Sequence, residues 1–528
     1  MADKTDSGVR KRTGIARASS IVGSATMLSR VFGYVRDAII AYYLGASLSA
    51  DAFFVAFRIA NFLRRLVGEG ALTPAFVPIF TEELNRRSRE DVSKLVSKVF
   101  TLFFIILLVI MALGIYFSEE LVMLLSPGFA ATPEKFDLTV KLTQWMFPYM
   151  LFIGLVAMSM GILNTLRHFA APALSPVLFN ISIILCAVIL APILDVPVYA
   201  IVAGVLLGGV LQLLLQLPFL KGRGMLPMPN FNFNDPAIKK LFLLMGPATL
   251  GVGVYQLNIF VTTRFASSLA EGSVSYLYYA SRLMELPLGV FAVAVSTAIL
   301  PSLSENVTKG DWESFKESLS FALRIVNFLT IPAFVGLMIL NAPIIEMLFK
   351  RGEFGSSAAD GTAYALYFYA LGLVPVAGSR VLVSVFYALK DTKTPVVIAL
   401  VSFVVNLVMC FVLIGPLKHG GLALATSISA AVNFIGLIYM LRSRSGEVGI
   451  ARIMNSAVKS VGASVVMGIA LLIVLSQIDW QMLQVWWRAA LIIGLVVLGS
   501  LLYLVSSYLL KAPEIVFIRD FISKKRAA

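Results

Sequence analysis

Residues 99–117, VFTLFFIILLVIMALGIYF, form an unbroken stretch without a charged side chain. A helix of about 20 apolar residues crosses the hydrocarbon core of a bilayer, so this stretch is typical of a membrane span. Similar stretches recur along the 528 residues, of which 59% are hydrophobic and only 14% charged. Strands of a membrane β-barrel would instead alternate in polarity over about ten residues. The sequence therefore predicts an all-α polytopic membrane protein.

We predict about fourteen transmembrane helices, with approximate limits 21–43, 52–79, 96–117, 142–163, 173–192, 197–219, 241–266, 274–300, 320–340, 363–389, 395–415, 421–441, 459–477 and 487–510. An even number of spans puts both termini on one side of the membrane. Most of the 43 Lys and Arg residues lie in the tails and loops of that side. Such an excess marks the cytoplasmic side, so both termini are predicted to be cytoplasmic. The net charge of +14 is then explained without nucleic-acid binding.

A sequence pattern recurs with an offset of 223 residues. Pro78 in TPAFVPIFTEE corresponds to Pro301 in STAILPSLSEN, and Arg167 in TLRHFAAP corresponds to Lys390 in ALKDTKTP. This pattern predicts two parallel six-helix lobes. Parallel repeats are typical of transporters that carry their substrate along a path between the two halves, which favours alternating access over a membrane enzyme. The predicted regions are an N-terminal tail (1–20), an N-lobe (21–220), a cytoplasmic linker (221–240), a C-lobe (241–442), spans 13 and 14 (457–510) and a basic tail (511–528).

Several arginines fall within the predicted spans. An ionised side chain in the middle of a span costs at least about 2.5–3.5 kcal/mol, so it should face a polar cavity or a partner. By their positions, Arg36 in span 1 and Arg64 in span 2 lie near the bilayer centre, and Arg282 in span 8 lies about a third of the way in. Guanidinium groups bind phosphate through paired charge-assisted hydrogen bonds. We therefore predict a site for a polyanion such as a diphosphate, formed by Arg30, Arg36, Arg64 and Arg282.

An ion-pair network is the alternative interpretation of these charges. Arg36 can pair with Asp37 or Asp51, and Arg65 lies four residues from both Asn61 and Glu69, a spacing at which helix side chains meet. We assign five polar residues of spans 1 and 2 to supporting ion pairs or a gate: Asp37, Asp51, Asn61, Arg65 and Glu69.

No sequence motif indicates catalysis or a metal site. The chain has no P-loop, no metal-binding His/Glu spacing and no nucleophile–base pair. Predicted spans 7, 11 and 12 contain no Asp or Glu, so a carboxylate cation site is not predicted there. We therefore predict a transporter without a cofactor, driven by membrane potential or a coupled ion. A two-lobed carrier encloses its own path, so we predict a monomer.

Three stretches resemble a known family. Residues 29–80 (SRVFGYVRDAIIAYYLGASLSADAFFVAFRIANFLRRLVGEGALTPAFVPIF) resemble the opening of the MurJ/MviN family, the lipid II flippases of bacterial cell-wall synthesis. YYASRLMELPLGVFAVAVSTAILPSLS at 278–304 and GPLKHGGLALATSISAAVN at 415–433 resemble later parts of that family. The resemblance implies the fold of the multidrug/oligosaccharidyl-lipid/polysaccharide exporters, with two lobes around a cationic cavity. It also implies that spans 13 and 14 form a groove for a polyprenyl tail.

The resemblance further implies a substrate and a set of residues. The substrate would be undecaprenyl-diphosphate carrying the peptidoglycan precursor, moved from the inner to the outer leaflet of the bacterial inner membrane. Relatives commonly read ADRLME where this chain reads ASRLME, so Ser281 leaves Arg282 without its neighbouring carboxylate. The replacement removes the carboxylate that would form a salt bridge at that position. The family's cavity arginines and acidic partners match Arg30, Arg36, Arg64, Arg282, Asp37, Asp51 and Glu69.

Three other functions remain open at this point. A multidrug or other polysaccharide-lipid exporter would share the fold, but a cation-coupled drug exporter should use carboxylates in its spans. A membrane glycosyltransferase or ligase would need a catalytic base in an outer loop. A non-transporting scaffold of cell-wall elongation or division is compatible with the basic loops. The expected partners are lipid II, membrane lipid and such cell-wall proteins, with no nucleic acid.

Overall fold

The computed structural model describes residues 2–64, 73–446, 449–478 and 484–515. Every regular element within these residues is a helix, in agreement with the predicted all-α class. The chain forms two compact units. The first comprises Met1–Gly272 and Arg351–Phe354, and the second comprises Ser273–Lys350 and Gly355–Ala528.

The first unit contains nine α-helices among its described residues. They are α1 (Ala2–Leu44), α2 (Leu48–Arg64), α3 (Thr73–Arg86), α4 (Arg89–Tyr116), α5 (Ser118–Leu125), α6 (Pro133–Thr165), α7 (Ala170–Leu190), α8 (Val198–Lys221) and α9 (Pro236–Ser267). A 3-10 turn, Pro127–Ala131, joins α5 to α6.

Small residues allow close packing in this unit. Gly204 and Gly208 are four residues apart on α8, and a Cβ at either position would meet α7 at Ile183 or Phe179. Lipid tails are as apolar as leucine, so helices in a membrane associate through close backbone approach rather than through hydrophobic burial. Helices α7 and α8 therefore form the tightest pair of the unit, and α1, α2 and α6 pack around them.

The second unit contains the remaining helices. They are α10 (Ser273–Pro287), α11 (Val293–Lys309), α12 (Trp312–Phe349), α13 (Ser356–Ala370), α14 (Leu373–Ala388), α15 (Lys393–Ser445), α16 (Ile450–Ser476) and α17 (Val485–Leu509). A π-helical segment, Leu288–Ala292, joins α10 to α11. Helix α15 contains two predicted spans. Its backbone breaks between them at Lys418, with φ 49° and ψ −131°. The appended helices α16 and α17 pack on α12.

Helix limits reproduce the repeat offset of 223 residues. Helix α4 begins at Arg89 and α12 at Trp312, while α7 begins at Ala170 and α15 at Lys393. The caps agree as well: the Ser88 hydroxyl accepts the N–H of Asp91, and the Asp311 carboxylate accepts the N–H of Ser314. Both arrangements satisfy a backbone N–H that the first helical turn leaves without a partner. The two halves thus share local structure as well as sequence pattern.

The predicted number of fourteen spans is not confirmed. In the described residues, nine helices are long and apolar enough to cross a membrane, or ten if the bent pair α13–α14 is one span. One reason is that predicted spans 11 and 12 both lie within α15, on either side of the break at Lys418. Another is that α2 ends at Arg64, and residues 65–72 of predicted span 2 lie outside the described part.

Helix α9 packs within the first unit, on α3 and α5, although the repeat relates it to α1. The chain before α9 lies against α4, because Ser97 Oγ accepts the N–H of Met228 (3.1 Å) and Thr101 Oγ1 accepts that of Asn230 (3.0 Å). The predicted linker, 221–240, therefore contains a segment with defined contacts. The predicted lobe limits stay predictions.

Candidate functional site

Arg36 lies about two turns before the end of α1, with only 9% of its surface exposed. Its Nε and Nη2 donate to Asp37 Oδ1 at 3.0 and 2.7 Å, and its Nη1 donates to Asn180 Oδ1 at 3.0 Å. Asp37 is itself 2% exposed. Burying a charge is costly unless it is paired and hydrogen-bonded, and this arrangement meets both conditions. Of the two predicted acidic partners of Arg36, the structure selects Asp37.

Asn180 in α7 was not predicted as a site residue. Its Nδ2 donates to the Ser29 carbonyl of α1 at 3.0 Å, while its Oδ1 accepts from Arg36. The side chain thus joins α1 to α7 and orients the guanidinium. A single amide in the apolar run 170–190 was the available signal, because such residues usually serve interhelical hydrogen bonds.

The structure gives different amounts of detail for the other arginines predicted for spans 1 and 2. Arg30 is half-buried in α1, six residues before Arg36. Arg64 is the last residue of α2. Asn61 is half-buried in the same helix. Arg65 and Glu69 lie outside the described residues, so the predicted pairing of Arg65 with Asn61 or Glu69 stays a prediction.

Asp51 belongs to a different ion pair from the one considered for Arg36. The side chain is 1% exposed, and its Oδ2 accepts Lys135 Nζ of α6 at 2.7 Å and the N–H of Gly272 at 2.9 Å. Lys135 also lies over the ring of Phe129, 4.2 Å from its centre. Asp51 therefore connects the start of α2 to α6 and to the residue that ends the first unit. Its predicted supporting role is compatible with these contacts.

Arg282 in α10 of the second unit has a carboxylate partner after all. Its Nη1 donates to Glu285 Oε2 at 2.9 Å, and its Nη2 donates to the Tyr278 hydroxyl at 3.1 Å. The replacement at position 281 therefore does not leave Arg282 without an ion pair, because a residue three positions later on a helix reaches the same side chain. Ser281 instead donates its hydroxyl to the Tyr278 carbonyl at 2.8 Å.

A charged cluster lies where α9 begins. Arg87 donates to both carboxylate oxygens of Asp235, at 2.9 and 3.0 Å, and Lys98 Nζ lies 3.6 Å from the same carboxylate. Asp235 also caps α9 by accepting the N–H of Ala237. The hydrogen bonds from Arg87 hold the pKa of Asp235 below its ordinary value of 3.8, and the Ala237 N–H acts in the same direction.

The appended helices are anchored by a buried carboxylate that the sequence assigned to the cytoplasmic tail. Glu514 is 2% exposed, accepts the Ser456 hydroxyl of α16 at 2.9 Å, and lies 3.7 Å from Arg324 Nε of α12. Tyr503 of α17 donates its hydroxyl to the Phe328 carbonyl of α12 at 2.7 Å. Much of the apolar surface of α16 and α17 is exposed, which is compatible with the predicted lipid-tail groove.

Among the described residues, no group of three or more His, Cys, Asp and Glu side chains could hold a metal ion. Arg36, Arg87 and Arg282 are instead paired with carboxylate or amide groups. A paired guanidinium can bind an anionic group by exchanging one of these partners for a phosphate oxygen.

Comparison with known proteins identifies the family. The sequence profile described as lipid II flippase MurJ matches residues 40–491. The chain belongs to the MurJ family of lipid II flippases. A relative from Vibrio cholerae serotype O1, named a probable lipid II flippase, is 37% identical over 499 residues, covering 93% of this chain and 95% of that protein. The Burkholderia cenocepacia lipid II flippase is 39% identical over 432 residues, covering 81% and 84%.

Solved structures agree with the MurJ assignment. A lipid II flippase MurJ in an inward closed conformation superposes with a TM-score of 0.79 at 30% identity, covering 96% of this chain and all of that one. An inward-facing multidrug transporter of the MATE family gives a TM-score of 0.68 at 16% identity, covering 81% and 98%. The second likeness shows a shared fold alone. The predicted family and exporter fold are therefore confirmed.

Proposed function

We propose that this chain moves lipid II from the inner to the outer leaflet of the bacterial inner membrane by alternating access. Membership of the MurJ family supplies the substrate, and the buried guanidinium of Arg36 is the observation that supports a diphosphate-binding role. The basic residues of the loops support an orientation with both termini in the cytoplasm.

Arg36 has the chemistry that a diphosphate needs. Its guanidinium stays charged at any physiological pH and carries five N–H donors, and the described contacts of these donors are with Asp37 and Asn180. In this proposal, Asp37 keeps the buried charge paired while no substrate is bound. A diphosphate offers more acceptor oxygens and more negative charge than the neutral Asn180 amide, so it displaces that contact. Asp37 then limits how tightly the phosphate is held, which favours release.

We assign Arg30 and Arg64, also in the first unit, and Arg282, in the second, to the same substrate head group. Arg282 has a partner that favours such use, because Glu285 is about half exposed and its ion pair is therefore weak. A phosphate can replace that carboxylate at little cost. Spans 13 and 14, which correspond to α16 and α17, would carry the polyprenyl tail on their exposed apolar surface.

The energy source in this proposal is the membrane potential, without a bound cofactor. Moving one elementary charge through 100 mV is worth about 2.3 kcal/mol, enough to shift a two-state equilibrium substantially. A net positive charge on the moving residues would then favour return of the empty carrier to its inward-facing state.

The experiment replaces a bacterium's own flippase with this chain and measures lipid II on the outer surface with a membrane-impermeant enzyme that cleaves exposed lipid II. We expect external lipid II to return to the level of the undepleted strain. If lipid II stayed inside while the chain was present in the membrane at normal abundance, the proposal would fail. Extrusion of lipophilic cations in the same cells, without lipid II outside, would favour a multidrug exporter.

A further inference from the structure

An apolar cavity of about 510 Å³ opens in the first unit. Its walls come from α2, α5 and α9, with Ile59, Phe62, Leu121, Leu124, Leu257 and Phe260 among the lining side chains. Arg264 is the one polar residue among the described residues of the lining. Arg30, Arg36 and Arg282, three of the residues assigned to the transported head group, are not among the described residues of the lining.

The cavity has a polar end and an apolar end. Leu257, Phe260 and Arg264 are separated by three and four residues, so they share one face of α9. Arg264 lies three residues before the end of the helix at Ser267. Leu257 lies seven residues earlier, about 10 Å further from that end at a rise of roughly 1.5 Å per residue. With α9 as predicted span 7, the arginine lies at the depth of the membrane interface and the leucine lies in the hydrocarbon.

Arg264 has guanidinium N–H groups that can donate hydrogen bonds to an anion. Its side chain is exposed and donates one hydrogen bond, from Nη1 to the Leu124 carbonyl near the end of α5. A guanidinium has five N–H groups, so this contact fixes its position and leaves N–H groups for a phosphate. The other described lining residues are apolar and cannot form hydrogen bonds with water through their side chains. If the cavity were empty, these side chains would lose dispersion contacts. A hydrocarbon chain is the occupant that suits these walls.

We propose that the cavity binds one acyl chain of an anionic phospholipid, with the lipid phosphate on Arg264. The volume is within the range of pockets for drug-sized ligands, roughly 300–1,000 Å³, which suits a single acyl chain. A complete polyprenyl chain is several times longer than such a ligand. The bound phospholipid would bridge α2, α5 and α9 as a resident ligand, independently of the substrate that is transported.

The test uses the full-length chain in vesicles that contain phosphatidylglycerol with a photoreactive diazirine on one acyl chain. After illumination, peptide mass spectrometry identifies the labelled residues. We expect labelling of residues 121–125 and 257–261, reduced by excess unlabelled phosphatidylglycerol and much less by diacylglycerol, which has the same acyl chains but no phosphate. A charge-assisted hydrogen bond is worth about 1.5–3 kcal/mol, so we expect the two competitors to differ roughly tenfold or more in effective concentration.

Two variants separate the head group from the chain. Arg264→Gln should abolish the preference for phosphatidylglycerol, and Arg264→Lys should keep most of it. Leu257→Trp fills the cavity and should remove the labelling for either lipid. The controls are Arg86→Gln, at an exposed arginine of the same unit, and Leu214→Trp, at an exposed leucine of α8; neither should change the labelling.

Three results would overturn the proposal. The first is labelling of these peptides that is equal to labelling elsewhere on the exposed apolar surface. The second is an unchanged lipid preference in Arg264→Gln. The third is displacement of the label by undecaprenyl diphosphate at lower concentrations than by phosphatidylglycerol, which would assign the cavity to the substrate. The unaltered protein can report the first and third results, so the test does not depend on the variants folding.

Discussion

Arg167 and Lys390 adopt the same left-handed backbone conformation, with φ of 57° and 58°, although they lie 223 positions apart in different units. Each lies two residues beyond the end of a helix, α6 or α14, and donates its N–H to a carbonyl three residues earlier, at 3.0 Å. The next residue, His168 or Asp391, donates to a carbonyl five residues earlier, at 2.8 and 2.9 Å. Glycine usually occupies this position of a helix end, because side chains are strained there.

We predict that Arg167→Gly and Lys390→Gly each leave stability unchanged or raise it by up to about 1 kcal/mol. The left-handed conformation costs an L-residue roughly 1–2 kcal/mol, and glycine avoids this cost. Part of the resulting stabilisation is lost, because glycine has greater conformational freedom in the unfolded chain. Apparent melting temperatures in detergent would measure the effect. Lys94→Gly, inside helix α4, is the matched control and should lower stability by roughly 1 kcal/mol. Equal losses at all three positions would contradict the backbone argument.

A second prediction concerns the buried pair of Asp51 and Lys135. Lys135→Met should cost about 3–5 kcal/mol, because it leaves a buried carboxylate without its counter-ion. The double variant Asp51→Asn/Lys135→Met should recover much of this loss, since it removes both charges. Lys94→Met is the control, because Lys94 and its partner Glu90 are largely exposed and such pairs contribute at most about 1 kcal/mol. Additive losses in the double variant would show that the pair is not coupled.

A third prediction concerns Gly352, in the segment Arg351–Phe354 that packs within the first unit. Its φ is 58°, and a Cβ there would collide with the carbonyl and ring of Tyr42. Gly352→Ala should therefore lower stability by roughly 1–3 kcal/mol, from overpacking and backbone strain together. Gly355→Ala should be nearly neutral, because that position has φ −75° and open space around it. Thermal unfolding of both variants distinguishes them, and an equal effect would contradict the account.

Acid should weaken the attachment of α9. The pKa of Asp235 is lower in the folded protein than its ordinary value of 3.8, so the unfolded chain binds the proton first as pH falls. The stabilisation is therefore complete well above pH 3.8 and is lost as pH falls through and below that value. Asp235→Asn keeps a good helix cap but removes the ion pair with Arg87, so its stability should depend less on pH below about 3.8. Parallel pH profiles for the two proteins would contradict this assignment.

The helical class and the repeat could be predicted from sequence because both depend on local patterns. Apolar length determines a span, and the offset of 223 residues returned at helix starts, helix ends and caps. The grouping of α9 with the first unit could not be predicted, because it depends on contacts such as that of Arg87 with Asp235, which lie far apart in sequence. The count of fourteen spans stays a prediction, because α15 runs through two predicted spans with a backbone break at Lys418 and residues 65–72 of predicted span 2 lie outside the described part.

The contacts of the candidate site residues could be predicted only where the partners are close in sequence. Depth within a span singled out Arg36, and adjacency in sequence suggested Asp37 as its partner. Asn180 supplies the third hydrogen bond from another helix, a contact that no sequence spacing reveals. The partner of Arg282 was not predicted either, because the comparison considered position 281 alone and Glu285 lies one helical turn away.

The most direct measurement is leaflet-resolved flipping of lipid II by Arg36→Ala, taken together with the abundance of the variant in the membrane. Arg36→Lys retains the charge, and Arg86→Ala, at an exposed arginine, is the matched control. We predict that Arg36→Ala loses most flipping per molecule of protein in the membrane and is also less abundant, because Asp37 loses its ion pair with Arg36. Arg36→Lys should keep partial activity, and Arg86→Ala should keep full activity. Normal flipping per molecule by Arg36→Ala would contradict a role of this guanidinium in binding the diphosphate.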